Sequence, residues 1–166
     1  GRIIKYAKDK GLKVKLNTNG LVHKNVRKNI FIPYVDYMNI SIKGLPSDYQ
    51  KVLKSSRVFS VSPHCNVLEY SFVYIPALWT KKRIDRLHTF LKETISYDWR
   101  AAFSSNWSRP DIFTVEQMRV GNCLDSQYNG CRVPDEKECI YIAKLFSDIP
   151  SRKIRIETRE FGRKGI

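Results

Sequence analysis

Two segments near the start of the chain each combine a short extended run with a polar ending. Residues 13 to 17 alternate lysine with apolar or amide side chains and lead into a Thr-Asn-Gly turn at residues 18 to 20, where glycine supplies a positive φ. Residues 37 to 42 form a nearly continuous apolar run that suits a strand covered on both faces, and Lys43 follows it. A helical stripe of apolar residues lies between them, at residues 22 to 30. The pattern predicts two parallel strands joined by a crossover helix.

The same alternation of strand and helix patterns continues along the chain. Further strands are predicted at residues 67 to 79, 99 to 105 and 153 to 160. Helices are predicted at residues 2 to 10, ending at Gly11, at 47 to 54, at 81 to 95 after an N-cap at Thr80, and at 136 to 149. We therefore predict an α/β fold, a partial (β/α) barrel of about five mostly parallel strands with crossover helices.

Local signals mark one helix start and one long connection. Asp135 and Glu138 form a capping box for the last helix. Residues 106 to 134 are rich in turn formers, with one short helix predicted after a cap at Thr114, and we interpret them as a long excursion loop that contacts substrate.

Composition limits the class of protein. A chain of 166 residues with 42% hydrophobic side chains can bury one core, so residues 1 to 166 are predicted to be a single domain. No apolar run is long enough for a membrane span or a signal peptide, which predicts a cytoplasmic protein without a membrane partner. A partial barrel also leaves two sheet edges bare, and we expect a missing half-barrel or a second copy of the chain to cover them.

The net charge of +14 is concentrated in the first third of the chain. Residues 1 to 60 carry 13 Lys and Arg but only 3 Asp and Glu. Such a surface can attract nucleic acid, and a basic nucleic-acid-binding module is one alternative function. A solvated surface is the interpretation we favour, because no nucleic-acid motif accompanies the charge. A protein-interaction scaffold without a cluster is a further alternative.

The cysteines do not predict a metal site. They are Cys65, Cys123, Cys131 and Cys139. The last three recur with seven residues between neighbours, whereas zinc and cluster sites use pairs two to four residues apart. We interpret them as ordinary thiols, and neither His23 nor His88 is supported as a catalyst.

Four segments together resemble the radical S-adenosylmethionine enzymes, particularly relatives of the pyruvate formate-lyase-activating enzyme. Residues 16 to 20 and 34 to 44 resemble two successive strands of that family, the first ending in Thr-Asn-Gly and the second in Ser or Asp, an apolar residue and Lys. Residues 70 to 76 are similar to an apolar strand that ends in Val-Pro, and residues 153 to 160 to the closing strand of archaeal members.

The resemblance implies the cofactors S-adenosylmethionine and a 4Fe-4S cluster, with reductive cleavage of the first and hydrogen abstraction from a substrate. The family's cluster motif, Cys-x3-Cys-x2-Cys, does not occur in this sequence. The resemblance therefore implies the C-terminal part of a longer oxidoreductase, inactive by itself, whose first two strand-helix units are absent. A glycyl-radical-type protein or another macromolecule is the implied substrate.

Barrels of this type place their chemistry at the carboxyl ends of the strands. Together with the resemblance, that rule selects as cofactor-binding residues Asn17, Thr18, Asn19, Ser41, Lys43, Pro76 and Asn106. We expect the Lys43 ammonium to pair with the methionyl carboxylate. Asn17 and Ser41 stand where activating enzymes often carry Asp, and Asn106 loosely matches a cofactor-contacting His. No residue is predicted to be catalytic.

Overall fold

The computed structural model describes residues 2–18, 35–42, 44–45, 47–48, 65–95, 111–119, 130–149, 151, 153–159 and 162–166. Its helices are α1 (Arg2–Asp9), α2 (Lys81–Ile95) and α3 (Glu136–Leu145). Its strands are β1 (Lys15–Thr18), β2 (Tyr37–Ile42), β3 (Val67–Tyr74), β4 (Ile112–Gln117), β5 (Lys153–Thr158) and β6 (Gly162–Gly165). Among these elements, no helix is both long and apolar enough to cross a membrane.

The six strands form one sheet in the order of the sequence, β1-β2-β3-β4-β5-β6. Strands β1 to β5 pair in parallel, each beside its predecessor, and β6 pairs antiparallel with β5. Gly162 opens β6 with a φ of 61°, a conformation that glycine adopts without strain. The arrangement confirms the predicted α/β class and the sequential parallel strands of a partial barrel. The antiparallel β6 was not predicted.

One face of the sheet packs against helices α2 and α3. Alternate strand residues such as Ile40 and Phe72 are fully buried on this face. Phe146 directly follows α3, and its ring stacks on Phe113 with 5.1 Å between centroids and lies 5.8 Å from Phe72. Leu87 of α2 belongs to the same buried cluster. The apolar core therefore lies between this face and the helices.

Local chemistry defines the ends of two helices as predicted. Asp135 accepts a hydrogen bond from the Glu138 amide, and the Asp135 amide donates to the Glu138 carboxylate, which completes the capping box. The Arg132 guanidinium donates two hydrogen bonds to the Glu138 carboxylate, at 2.6 and 2.7 Å. These bonds, together with the bond from the Asp135 amide, lower the pKa of Glu138 to about 2. Gly11 ends α1 with a φ of 73°, the left-handed cap that glycine favours.

The largest difference from the sequence prediction is β4. Ile112–Gln117 lies within the stretch predicted to be an excursion loop, and Thr114 is a buried residue in the middle of this strand. The prediction of a helix beginning at Thr114 is therefore wrong. The β-branched and aromatic residues of this segment form a strand that pairs with β3 on one side and β5 on the other. The strand at residues 99 to 105, the helix at 22 to 30 and most of that at 47 to 54 lie outside the described residues.

Strand β3 is shorter than predicted. It ends at Tyr74, and a turn follows in which the Trp79 amide donates to the Ile75 carbonyl at 2.8 Å. Pro76 lacks an amide donor, so it suits this turn better than a continued strand.

Asp148, in the turn after α3, contacts two side chains of α2, and we expect these contacts to make the free energy of unfolding depend on pH at acidic pH. It lies 2.8 Å from the Lys92 ammonium and 2.5 Å from His88 Nε2, and these contacts lower its pKa from 3.8 to about 2. Because the folded state has the lower pKa, the stabilisation is present above 3.8 and is lost as pH falls towards 2. Urea unfolding over this pH range should show a shallower fall in stability for Asp148→Asn than for the wild type.

Lys92→Met tests the cause of the shift. It removes the first hydrogen-bond donor, so the carboxyl carbon resonance of Asp148 should titrate closer to its ordinary pKa. An Asp148 that already titrates at its ordinary value in the wild type would contradict this account.

Candidate functional site

The sheet face opposite the helices carries polar side chains in the middle of the strands. Asn39 of β2 lies beside Glu69 of β3 in the sheet. Ser71 of β3 lies beside Thr114 of β4, and Thr114 lies beside Arg155 of β5. All of these residues except Arg155 are buried, with exposed fractions between 0% and 8%. Buried polar groups are costly unless they are hydrogen-bonded, so this face is a candidate functional site.

Four of these side chains form a connected group, which we call the polar cluster: Tyr37, Glu69, Thr114 and Arg155. The Glu69 carboxylate accepts from the Tyr37 hydroxyl at 2.6 Å and from the Thr114 hydroxyl at 2.5 Å. Arg155 donates from Nη2 to Glu69 at 3.0 Å and to the Tyr37 hydroxyl at 2.8 Å, and from Nε to Thr114 at 3.0 Å. The cluster joins strands β2, β3, β4 and β5.

The hydrogen bonds determine which groups are charged. Burial disfavours the Glu69 carboxylate, but bonds from Thr114, Tyr37 and Arg155 outweigh it and keep the Glu69 pKa below its ordinary value. Burial, together with the bond to Glu69, raises the pKa of Tyr37. The cluster therefore contains one carboxylate balanced by one guanidinium, beside a neutral phenol.

Two oxygen atoms next to the polar cluster have no hydrogen-bond partner. Within the described part of the chain, Asn39 Oδ1 and Ser71 Oγ are buried and unpaired. Asn39 lies two residues after Tyr37, and Ser71 two residues after Glu69, towards the carboxyl ends of β2 and β3 and on the same face. We call them the unpaired oxygens. Such atoms cost about 1–3 kcal/mol each, so each calls for an explanation.

The structure brings two of the predicted cofactor residues to this face. Asn17 pairs with Asn39, and Ser41 with Ser71, at the carboxyl-terminal halves of β1 and β2. Thr18 pairs with Ile40 and so belongs to the opposite face of β1. Pro76 lies in the turn between β3 and α2. The other predicted positions lie outside the described residues: Asn19, Lys43 and Asn106.

Sequence reasoning missed the polar cluster and both unpaired oxygens. A signal was present, because Glu69 and Asn39 interrupt apolar runs within predicted strands. A buried strand tolerates such residues only when they have partners. The partner of Glu69, Arg155, is 86 residues away and belongs to no common motif.

The cysteines do not form a metal site in the described residues. No group of three or more His, Cys, Asp or Glu side chains there could hold a metal ion. Cys139 is buried, and burial raises its pKa to about 11, whereas a metal ligand must be a thiolate. Cys123 lies outside the described residues. Without the Cys-x3-Cys-x2-Cys spacing, the cysteines of this sequence do not fit a 4Fe-4S cluster.

Comparison with known proteins gives one informative similarity. The chain is 21% identical over 155 residues to a protein of Methanocaldococcus jannaschii named "Putative glycyl-radical enzyme activating enzyme". The match covers 86% of this chain and 58% of that protein, so the chain spans less than two thirds of its relative. No family model matches the sequence.

Proposed function

We propose that this chain is part of a radical S-adenosylmethionine enzyme similar to the glycyl-radical activating enzymes. The observation that carries the proposal is the sheet, in which five parallel strands follow chain order and place Asn17 and Ser41 on one polar face. The similarity to the archaeal protein supports the same family at low identity. In the whole protein the activity would be that of an oxidoreductase.

The polar face fits S-adenosylmethionine by its chemistry. That molecule carries a carboxylate, an ammonium, ribose hydroxyls and a sulfonium. Asn17 and Ser41 offer neutral hydrogen-bonding groups near the strand ends, and Lys43, which follows β2, would pair with the carboxylate. The remaining proposed contacts belong to the strand ends and the segments that follow them, not to the polar face itself, and come from Thr18, Asn19, Pro76 and Asn106. These residues would bind and orient the cofactor, whose bound form supplies the radical chemistry.

The 4Fe-4S cluster would be held by residues outside this sequence. If the proposal is correct, the reading frame should contain Cys-x3-Cys-x2-Cys within about 100 residues before Gly1, the length of two β/α units plus an extension. A glycyl-radical-type protein, or another macromolecule, would be the substrate in the cytoplasm. A missing half-barrel or a second copy would cover the sheet edges.

The proposal predicts that Lys43→Ala weakens S-adenosylmethionine binding about tenfold, because a charge-assisted hydrogen bond is lost. Titration calorimetry on the natural protein that contains this chain would measure the change. Lys82→Ala is the matched control, since Lys82 is an exposed lysine on α2. Reduced protein with its cluster restored should also form 5′-deoxyadenosine.

Two results would contradict the proposal. One is the absence of S-adenosylmethionine binding by the natural protein, and the other is equal affinity for the wild type and Lys43→Ala. Steeply salt-dependent binding of an oligonucleotide in place of the cofactor would favour the basic nucleic-acid-binding alternative. Two of the basic residues in the first third already have acidic partners, since Lys5 pairs with Asp9 and Lys8 with Asp36.

A further inference from the structure

Arg155 uses only part of its hydrogen-bonding capacity. Its Nε and Nη2 atoms donate to the other three members of the polar cluster, and its side chain is only 13% exposed. Among the described residues, none accepts a hydrogen bond from Nη1. A guanidinium has five N–H donors in a fixed plane, so Nη1 presents two donors from a position that the protein holds rigidly.

The charge of Glu69 determines which kind of hydrogen-bond acceptor is favoured at Arg155 Nη1. Glu69 is fully buried, ionised and 3.0 Å from Arg155, so it already neutralises the guanidinium. A second anion beside the guanidinium would be repelled by the Glu69 carboxylate. A carbonyl oxygen accepts a hydrogen bond without that repulsion. The favoured acceptor is therefore neutral.

The unpaired oxygens are hydrogen-bond acceptors that complement the donors of Arg155 Nη1. Asn39 Oδ1 can only accept a hydrogen bond, and Ser71 Oγ can accept or donate. Both residues are more than nine-tenths buried, and both belong to the sheet face that carries Arg155. Ser71 pairs with Thr114, which receives the Arg155 bond, and Asn39 pairs with Glu69. A ligand group that contains both a carbonyl oxygen and an N–H would satisfy donors and acceptors together.

We propose that Arg155, Asn39 and Ser71 form a subsite that binds an uncharged carboxamide group of a substrate. The carboxamide oxygen accepts from Arg155 Nη1, and its N–H donates to Asn39 Oδ1, with Ser71 as the second polar contact. Glu69, Thr114 and Tyr37 are positioning residues, because they hold the guanidinium in place. The subsite requires neither S-adenosylmethionine nor the cluster, so it goes beyond the proposed function and can be tested separately.

A purely structural role makes a different prediction about stability. If a buried water satisfies the two oxygens, removing the Ser71 hydroxyl breaks its network and lowers stability. If the Ser71 hydroxyl has no partner until a ligand binds, its removal from the ligand-free protein leaves the free energy of unfolding unchanged or raises it. Loss of binding together with retained stability thus distinguishes the subsite from a structural network.

The test uses acetamide as the probe, with acetate and N,N-dimethylacetamide as comparison compounds. The side-chain 15N resonances of Arg155 in the natural protein report binding. We expect acetamide to shift them with a dissociation constant on the order of millimolar, as suits so small a ligand. Acetate should bind about tenfold more weakly because of Glu69, and dimethylacetamide should be weaker than acetamide because it has no N–H for Asn39.

Variants complete the experiment. Ser71→Ala and Asn39→Ala should each weaken acetamide binding about fivefold without lowering the unfolding midpoint. In Arg155→Lys, which keeps a cation beside Glu69 but lacks the guanidinium reporter, the backbone amide resonances of Asn39 and Ser71 report binding, and acetamide should no longer shift them. Ser147→Ala is the control at an exposed serine. If Arg155→Lys does not fold, the other two variants decide. The proposal is overturned if acetamide shifts no Arg155 resonance, if acetate binds as tightly, or if both alanine variants bind like the wild type.

Discussion

Replacing Arg155 by methionine should lower the free energy of unfolding by about 3–5 kcal/mol, because the buried Glu69 would lose its counter-ion. Glu69 has no exposed surface, and the pair is separated by 3.0 Å. The Tyr37 and Thr114 hydroxyls would still donate to the carboxylate, but neither carries a positive charge. Urea unfolding at neutral pH, followed by circular dichroism, would measure the difference.

A double variant separates the cost of an unpaired charge from the value of the pair. Glu69→Leu combined with Arg155→Met removes both charges and should recover part of the lost stability, because no unpaired charge remains although the Tyr37 and Thr114 hydroxyls lose their partners. Arg132→Met is the matched control, because that arginine forms an exposed pair with Glu138 and should cost at most about 1 kcal/mol. A double variant as unstable as Arg155→Met would contradict this account.

Phe146→Ala should lower the free energy of unfolding by about 3–5 kcal/mol, the usual cost of removing a buried aromatic ring. Phe146 has no exposed surface and contacts three other rings. It is the aromatic anchor of the α3 segment on the strands β3 and β4. Chemical denaturation would measure the loss, and a residual cavity would make it larger.

Tyr141→Ala is the control for the Phe146 substitution. Tyr141 is an aromatic residue of α3 with 57% of its surface exposed, so its removal should change stability by about 0.5 kcal/mol or less. Equal losses for the two variants would show that Phe146 does not anchor the α3 segment.

These two predictions test opposite faces of one sheet. The Phe146 face follows ordinary strand patterning, with apolar side chains buried against helices. The Arg155 face places charged and amide groups where strands are usually apolar, and leaves two buried oxygens unpaired. Buried polar residues that depart from strand patterning in this way are expected at functional sites, where groups that lower stability in the free protein can serve binding.

Local patterns predicted much of the fold. The bounds of β2 agree with the predicted run of six residues, and the capping box at Asp135 is present as expected. Gly11 adopts the predicted left-handed cap. Each of these features depends on residues within one turn or one strand, so short-range sequence carries the signal.

Strand β4 was missed because its local signals conflict with its environment. Turn-forming and polar residues surround it, and Thr114 resembles a helix cap when considered alone. In the fold, Thr114 is buried between β3 and β5 and donates to Glu69. Pairing with two strands that are distant in sequence decides the structure of such a segment.

Apart from β4 and β6, the sequence by itself determined the order of the described strands and helices, and with it the parallel α/β class, because hydrophobic periodicity and caps are local properties. Only the tertiary structure decided which polar residues meet. Arg155 reaches Glu69 across 86 residues and Tyr37 across 118. Parallel strands bring such residues together through cross-strand register, and no short segment of the sequence encodes that register.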